Sequence, residues 1–165
     1  VSRRIDDGIA ASNETDRSTD VESSAVAALV RLVAYWTSED FQGVLATGAG
    51  IEVESRDIPA LFVLARLGSV RPSVLARELR VSAGNVSKML DRLAVRGYTV
   101  RTADPDDARA SLVSLTKEGI ASAQLLDREG NRLFAELLRG WPSSDVISFS
   151  ALLVRFADGI TAPGD

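Results

Sequence analysis

The sequence predicts a mostly α-helical fold with one small β-hairpin wing: a winged helix-turn-helix flanked by N- and C-terminal helices that serve dimerisation. Three observations predict it. From Arg71 a short amphipathic segment, a turn and a second amphipathic segment opening at Ser82 follow one another. After Gly97 two alternating segments surround the polar tip TADPDDARA. On both sides of this module lie helical runs with more apolar surface than a winged helix of this size can cover.

Each element has a local cause. Residues 1–19 are polar, charged and non-periodic, without the apolar core of a signal peptide, and read as a flexible arm. Residues 20–165 read as one domain. A helix begins near Asp20, with Val26, Leu29, Val30, Val33, Tyr35, Trp36 and Phe41 spread over more than one face, and closes at TGAG, before Ile51. The following IEVESRD is extended or a loop. Ile58 to Leu67 is a short helix with Leu61, Phe62, Leu64 and Ala65 inward and Gly68 as its stop. Ser73 is the expected N-cap of the next helix, which carries Val74, Leu75 and Leu79. Ser82 caps the second helix of the pair, whose Val86, Leu90 and Leu93 form one apolar stripe.

Strands are expected at Tyr98–Arg101 and Ala110–Leu115, with Val113 and Leu115 on one face. Thr116 caps a long helix to about Arg139, with Ile120, Leu125, Leu126, Leu133, Phe134, Leu137 and Leu138 as a broad stripe. Gly140-Trp141-Pro142 breaks it, and a last helix turns Val146, Ile147, Phe149, Leu152, Leu153 and Phe156 inward before a frayed TAPGD tail. The lobe then spans 58–116 and the dimerisation helices span 20–47 and 117–158.

Composition removes whole classes of chemistry. With no cysteine there is no disulfide, thiol sensing or Cys-ligated zinc; with no histidine the commonest metal ligand and general base are missing. No Gly-rich phosphate loop or Gly-x-Ser-x-Gly elbow is present, so neither an enzyme nor a cofactor or metal is expected. No apolar run approaches the ~20 residues that span a membrane, and a cytoplasmic protein is expected. Net charge is −4. From Ser69 to Lys117, however, nine cations stand against five anions, +4, which leaves −8 for the rest. A basic module on an acidic body steers itself by one face.

The outer face of the second helix carries Gly84, Asn85, Ser87, Lys88, Asp91 and Arg92, short and hydrogen-bonding at its start and cationic later. Such a helix can approach base edges in a major groove. With Ser73 and Ser82 nearby, and Arg101 and Arg109 on the hairpin, these residues (Asp91 aside) form the candidate DNA-binding set. The bland alternatives are a solvated helix face, and an Arg109 held by Asp107 in a local ion pair that only shapes the hairpin.

DPDDARASLVSLTKEG resembles the wing signature of the MarR family of winged-helix regulators, commonly DPxDRRxxxVxLTxxG. Asp104, Pro105, Asp107, Arg109, Val113, Leu115, Thr116 and Gly119 stand where that pattern has them, and Ala108 replaces the first of two arginines. VSAGNVSKMLDRLAVRGYTVR resembles the family's recognition helix, and the resemblance runs from about Ile58 onward. It implies a homodimer joined through the terminal helices, binding a pseudo-palindromic operator in double-stranded DNA as a transcriptional regulator, usually a repressor. It also implies release by a small aromatic or phenolic effector between dimer helices and lobe, which puts candidate pocket walls at Tyr35, Trp36, Phe62 and Arg66. Ordinary core packing is the bland reading of these aromatics. The competing function is a winged-helix protein-interaction module without specific DNA binding, against which Arg101 and Arg109 weigh.

Overall fold

A computed structural model describes residues 23–161. The expected arm, and the tail from 162 on, lie outside the described residues. Helix α1 runs through residues 23–36. It is followed by α2 (Glu39–Ala49), a 3₁₀ turn (Ser55–Asp57), α3 (Ile58–Leu67), α4 (Pro72–Leu79) and α5 (Ala83–Val95). The hairpin β1 (Thr99–Asp104) and β2 (Asp107–Leu115) comes next, then α6 (Lys117–Leu137) and α7 (Ser143–Thr161).

The single front helix expected from the sequence is two helices. Thr37 and Ser38 turn their hydroxyls onto the carbonyls of Val33 and Tyr35, ending α1. Ser38 Oγ then accepts from the Phe41 N–H, and Glu39 and Asp40 follow in the positive first turn of α2. Gly50 ends α2 in the left-handed region at φ 68°. Gly48, inside α2, lets α6 approach, because a Cβ there would collide with the Glu129 carboxylate.

The helix-turn-helix pair forms as the periodicity requires, with one change at its start. Arg71, not Ser73, is the N-cap of α4, because Pro72 occupies the first helical turn where its missing N–H costs nothing. α4 ends at Arg80 in the left-handed region, φ 55°. Ser82 Oγ accepts from the Asn85 N–H and opens α5. After α5, the Gly97 N–H donates to Ala94 O and the Tyr98 N–H to Leu93 O, with Gly97 at φ 73°.

One core joins the lobe to its flanks. Leu61 and Leu64 of α3, Leu75 of α4, Val86, Leu90 and Leu93 of α5, Val113 of β2 and Leu126 of α6 are all buried. Ile58 and Ala60 complete the inward side of α3, while Phe62 and Ala65, expected inward, are exposed. Val70 exchanges both backbone hydrogen bonds with Val113, at 3.0 and 2.8 Å, and stitches the α3–α4 connection to the wing.

The wing is longer than expected. β1 extends to Asp104 and β2 starts at Asp107, so the strands close over Pro105-Asp106. Register runs from Thr99↔Leu115 to Ala103↔Ser111 and then jumps to Asp104↔Asp107, so Ala108, Arg109 and Ala110 bulge without partners. The buried Asp104 carboxylate holds this end: it accepts from Arg71 Nε at 2.6 Å and from the Asp106 N–H at 3.0 Å. These hydrogen bonds, the Asp106 amide first and Arg71 second, hold its pKa below the ordinary carboxylate value.

At the back, α7 leans on α6 through a Phe134–Phe149 stack at 6.2 Å and a Trp141–Phe149 contact at 5.6 Å. Only its Val146, Phe149, Ser150 and Leu153 are half-buried, among the described residues of α7. Ile147, Leu152 and Phe156, expected inward, are 70%, 58% and 52% exposed. Ile120, Leu125 and Leu137 of α6 are exposed too, and so are Val26, Val30 and Val33 of α1.

Two predictions follow from these contacts. A Cβ on Gly119 would collide with the Tyr98 carbonyl oxygen, which sits over the first turn of α6 and already accepts from the Thr116 N–H. Gly119→Ala is expected to destabilise by about 1–3 kcal/mol, as overpacking does, read as a lower urea midpoint at constant slope; an unchanged midpoint would show that α6 slides free of Tyr98. Asp104, with a lowered folded pKa, contributes stability that is complete above the unfolded value of about 3.9 and is lost as pH falls through the lower folded value. Asp104→Asn should therefore lose stability at neutral pH and unfold with a shallower acid dependence below about pH 4. A variant whose acid profile matches the wild type would refute that role.

Candidate nucleic-acid interface

The orientation of α5 follows from its sequence. Val86, Met89, Leu90 and Leu93 are buried, which at 100° per residue turns Gly84, Ser87, Lys88 and Asp91 to solvent. Asn85 is exposed beside them. No atom lies within 4 Å of the point where a Gly84 Cβ would stand, so that end of the helix is open to close approach. Ser82 is also exposed, but its Oγ is engaged in capping. Ser73 is exposed on the first turn of α4.

The two wing arginines differ. Arg101 reaches back to Asp91 of α5 at 3.5 Å, tying β1 to the outward face of the helix. Arg109 lies in the bulge, exposed, and its own N–H donates to Asp107 Oδ1 at 3.0 Å. The expected alternative, an Asp107–Arg109 side-chain pair, is not found among the described residues; the cation near Asp107 is Arg71, at 4.0 Å.

Arg92 does not join the outward face of α5. Its guanidinium forks onto the buried Asp57 carboxylate, Nε to Oδ2 at 2.7 Å and Nη2 to Oδ1 at 2.5 Å, with Glu54 at 3.5 Å. The Asp57 hydrogen bond raises its pKa above the ordinary value. A few residues on, Arg96 pairs with Glu52 at 2.7 Å. The loop between α2 and α3 thus grips the inner side of α5 by charge. Sequence reasoning missed Asp57 and Arg71. An acidic run, Glu52, Glu54 and Asp57, ahead of a helix with two arginines was the available signal, but spacing alone does not bring them together.

The basic count shrinks accordingly. Of the cations between Ser69 and Lys117, Arg71, Arg92, Arg96 and Arg101 have carboxylate partners. Arg77, Arg80, Lys88, Arg109 and Lys117 have none among the described residues. The free cations lie at the end of α4, on the face of α5, on the wing and at the start of α6.

The four pocket candidates separate. Trp36 and Phe62 line an apolar cavity of about 920 Å³ between α1, α2, α3, α6 and α7, with Phe41, Phe134 and Leu153. Tyr35 is 54% exposed with its ring tilted on Phe41, and Arg66 pairs with Glu78 across α3 and α4 at 2.7 Å; neither lines the cavity.

Known proteins resemble this chain over more than half of its length. The MarR family model matches residues 51–110. The multiple antibiotic resistance protein MarR of Salmonella typhimurium is 31% identical over 106 residues, which span 64% of this chain and 74% of that protein. The HTH-type transcriptional regulator PapX of Escherichia coli is 30% identical over 91 residues, 53% of this chain and 56% of PapX. Among solved structures, wild-type MarR of E. coli in its apo form aligns with a TM-score of 0.67 at 24% identity, over 79% of this chain and 94% of that one. A MarR family protein from Bacillus stearothermophilus gives 0.72 at 15% identity, over 86% and 97%. Those two likenesses establish the winged-helix fold. Combined with the identity and coverage of the Salmonella relative, they assign the chain: it belongs to the MarR family, whose members are transcriptional regulators and not enzymes.

Proposed function

We propose that the protein is a homodimeric, sequence-specific DNA-binding regulator, a repressor released when a small ligand enters between the dimer helices and the lobe. The observation that carries the DNA reading is the face of α5: Gly84, Asn85, Ser87 and Lys88 exposed together, beside a wing whose Arg109 projects from a bulge without an ion partner among the described residues. Residues 58–116 form the reading lobe. Two copies related by a two-fold axis would set their α5 helices about 34–36 Å apart, one helical turn of a pseudo-palindromic operator. Such a protein works in the cytoplasm, on the DNA; no described helix is long and apolar enough to cross a membrane.

Support for the dimer is the apolar surface left on α1 and α7, with Val30 62% and Ile160 70% exposed. Support for a ligand is the aromatic cavity walled by Trp36 and Phe62, which touches both the terminal helices and α3 of the lobe.

Fluorescence anisotropy on duplexes selected from a random pool tests the DNA reading. Asn85→Ala should weaken the selected site by roughly 1–3 kcal/mol while sparing random duplex. Arg109→Ala should weaken both and lower the salt slope by about 0.9 per lost phosphate contact. No binding to any duplex at low salt would instead favour the protein-interaction module. For the dimer, Leu152→Asp places a charge on an apolar face that the single chain leaves 58% exposed, so the fold should survive while sedimentation shifts from dimer to monomer. A wild-type chain sedimenting as a folded monomer at micromolar concentration would sink the dimer.

A further inference from the structure

The turn between α4 and α5 holds an arginine where this chain elsewhere uses glycine. Among the described residues, positive φ occurs at Gly50, Gly68, Gly97, Gly140 and at one non-glycine position, Arg80, with φ 55° and ψ 40°. The turn itself is well made: the Arg80 N–H donates to Arg77 O at 3.2 Å and the Val81 N–H to Ala76 O at 3.1 Å. Glycine satisfies both bonds without the clash that a Cβ brings to the left-handed region. The arginine therefore strains the backbone and contributes nothing that the turn needs.

Its side chain is not engaged in holding the fold either. Arg80 is exposed, and among the described residues no carboxylate pairs with its guanidinium, nor with that of Arg77 one turn earlier on α4. Its position is specific. Two residues on, Ser82 caps α5, and Gly84 and Asn85 begin the open face. If the first turn of α5 enters a major groove, the turn feeding it stands at the groove's lip, beside a backbone strand.

We propose that Arg80 is a phosphate-gripping residue, retained in a strained conformation because its planar guanidinium binds the DNA backbone flanking the groove that α5 enters. Guanidinium is the side chain best shaped for a bidentate hold on phosphate oxygens, and strain kept against an available glycine marks a functional position. The inference rests on the DNA-binding reading and goes beyond it. The resemblance and the exposed helix face pointed to α5 and the wing; this residue anchors the turn before them and carries no sequence readout.

The test measures stability and DNA affinity on the same variants, because the two should move in opposite directions. The probe is a random-sequence duplex titrated by anisotropy across a salt series, with thermal unfolding run in parallel. Arg80→Gly is expected to raise Tm by about 2 °C as the strain is relieved. It should weaken the duplex by about eightfold per phosphate contact at 0.1 M salt and cut the salt slope by about 0.9 per subunit. Arg80→Asn, which tolerates the left-handed region without charge, should behave like Arg80→Gly; Arg80→Lys should keep most of the wild-type slope. A wild-type slope in Arg80→Gly would overturn the proposal, as would equal losses in Arg80→Lys and Arg80→Gly. A fall in Tm for Arg80→Gly would show that the arginine serves the fold, and would overturn it too. Failure of the wild type to bind duplex at all would instead overturn the DNA-binding reading beneath it.

Discussion

The rotation of α5 about its own axis depends on the pairing of Arg92 with Asp57. Asp57 is 1% exposed and precedes α3, where an aspartate commonly caps the helix; here its carboxylate makes no cap and accepts the Arg92 fork instead. A buried carboxylate is tolerable only with such a partner, since removal of either side would leave an uncompensated charge. Hydrophobic burial of Val86, Leu90 and Leu93 sets which side of α5 faces the core, but apolar packing is non-directional and tolerates some rotation. The two-point bond does not. It fixes Arg92 inward, and so turns Asp91, Lys88, Ser87 and Gly84 outward as one strip.

From that fixed helix the wing is positioned by further directional contacts. Asp91, at the C-terminal end of the strip, pairs with Arg101 of β1, and Arg71 at the entry of α4 holds Asp104 at the wing's end. Val70 and Val113 join the same two regions through the backbone. The helix-turn-helix and the hairpin are therefore braced at the middle of β1 and at its Asp104 end. Arg92 and Arg96 pair with Asp57 and Glu52, which lie outside the Ser69–Lys117 stretch, so the formal +4 of that stretch overstates what a polyanion meets. The cations without carboxylate partners among the described residues lie at the end of α4, on the outward strip of α5, in the bulge and at the start of α6.

Much of this was legible in the sequence, for reasons that can be named. Periodicity locates α3, α5 and α6, and the N-caps of the last two are legible because Ser82 and Thr116 are local signals whose oxygens bond N–H groups three residues on. The break at Thr37-Ser38 was also written locally, as a serine followed by two acids, but the unbroken apolar run across it hid it. Inward and outward faces were the weaker part. Phe62, Ile147, Leu152 and Phe156 are apolar and read as inward, yet the described residues leave them 37%, 70%, 58% and 52% exposed. Burial is a property of the assembly, and hydrophobicity reports only that cover is needed. Long-range ion pairs were least legible: Arg92 and Asp57 are 35 residues apart, and no spacing rule joins them. The consequence is specific: helical spacing alone puts Arg92 on the outer face of α5, and the structure turns it onto Asp57.

The division of apolar surface also constrains how a change at the cavity could reach the outward strip of α5. The lobe shares one core with α2 and α6, whereas α1 and α7 touch the rest of the chain mainly through the aromatic cavity and its rim. Leu45 and Leu126 belong to both: they wall the cavity and pack in the core with Leu61 and Leu90. A ligand acts only through a difference in affinity between two arrangements of the protein. Here that difference must pass through α2, α3 and α6, because these helices alone border both the cavity and the lobe. α3 is the most direct carrier: Phe62 faces the cavity, and Asp57 at its N-terminal end holds Arg92. A displacement of α3 would pull the fork that sets the rotation of α5, and a rotation would re-aim Ser87 and Lys88 without unfolding anything.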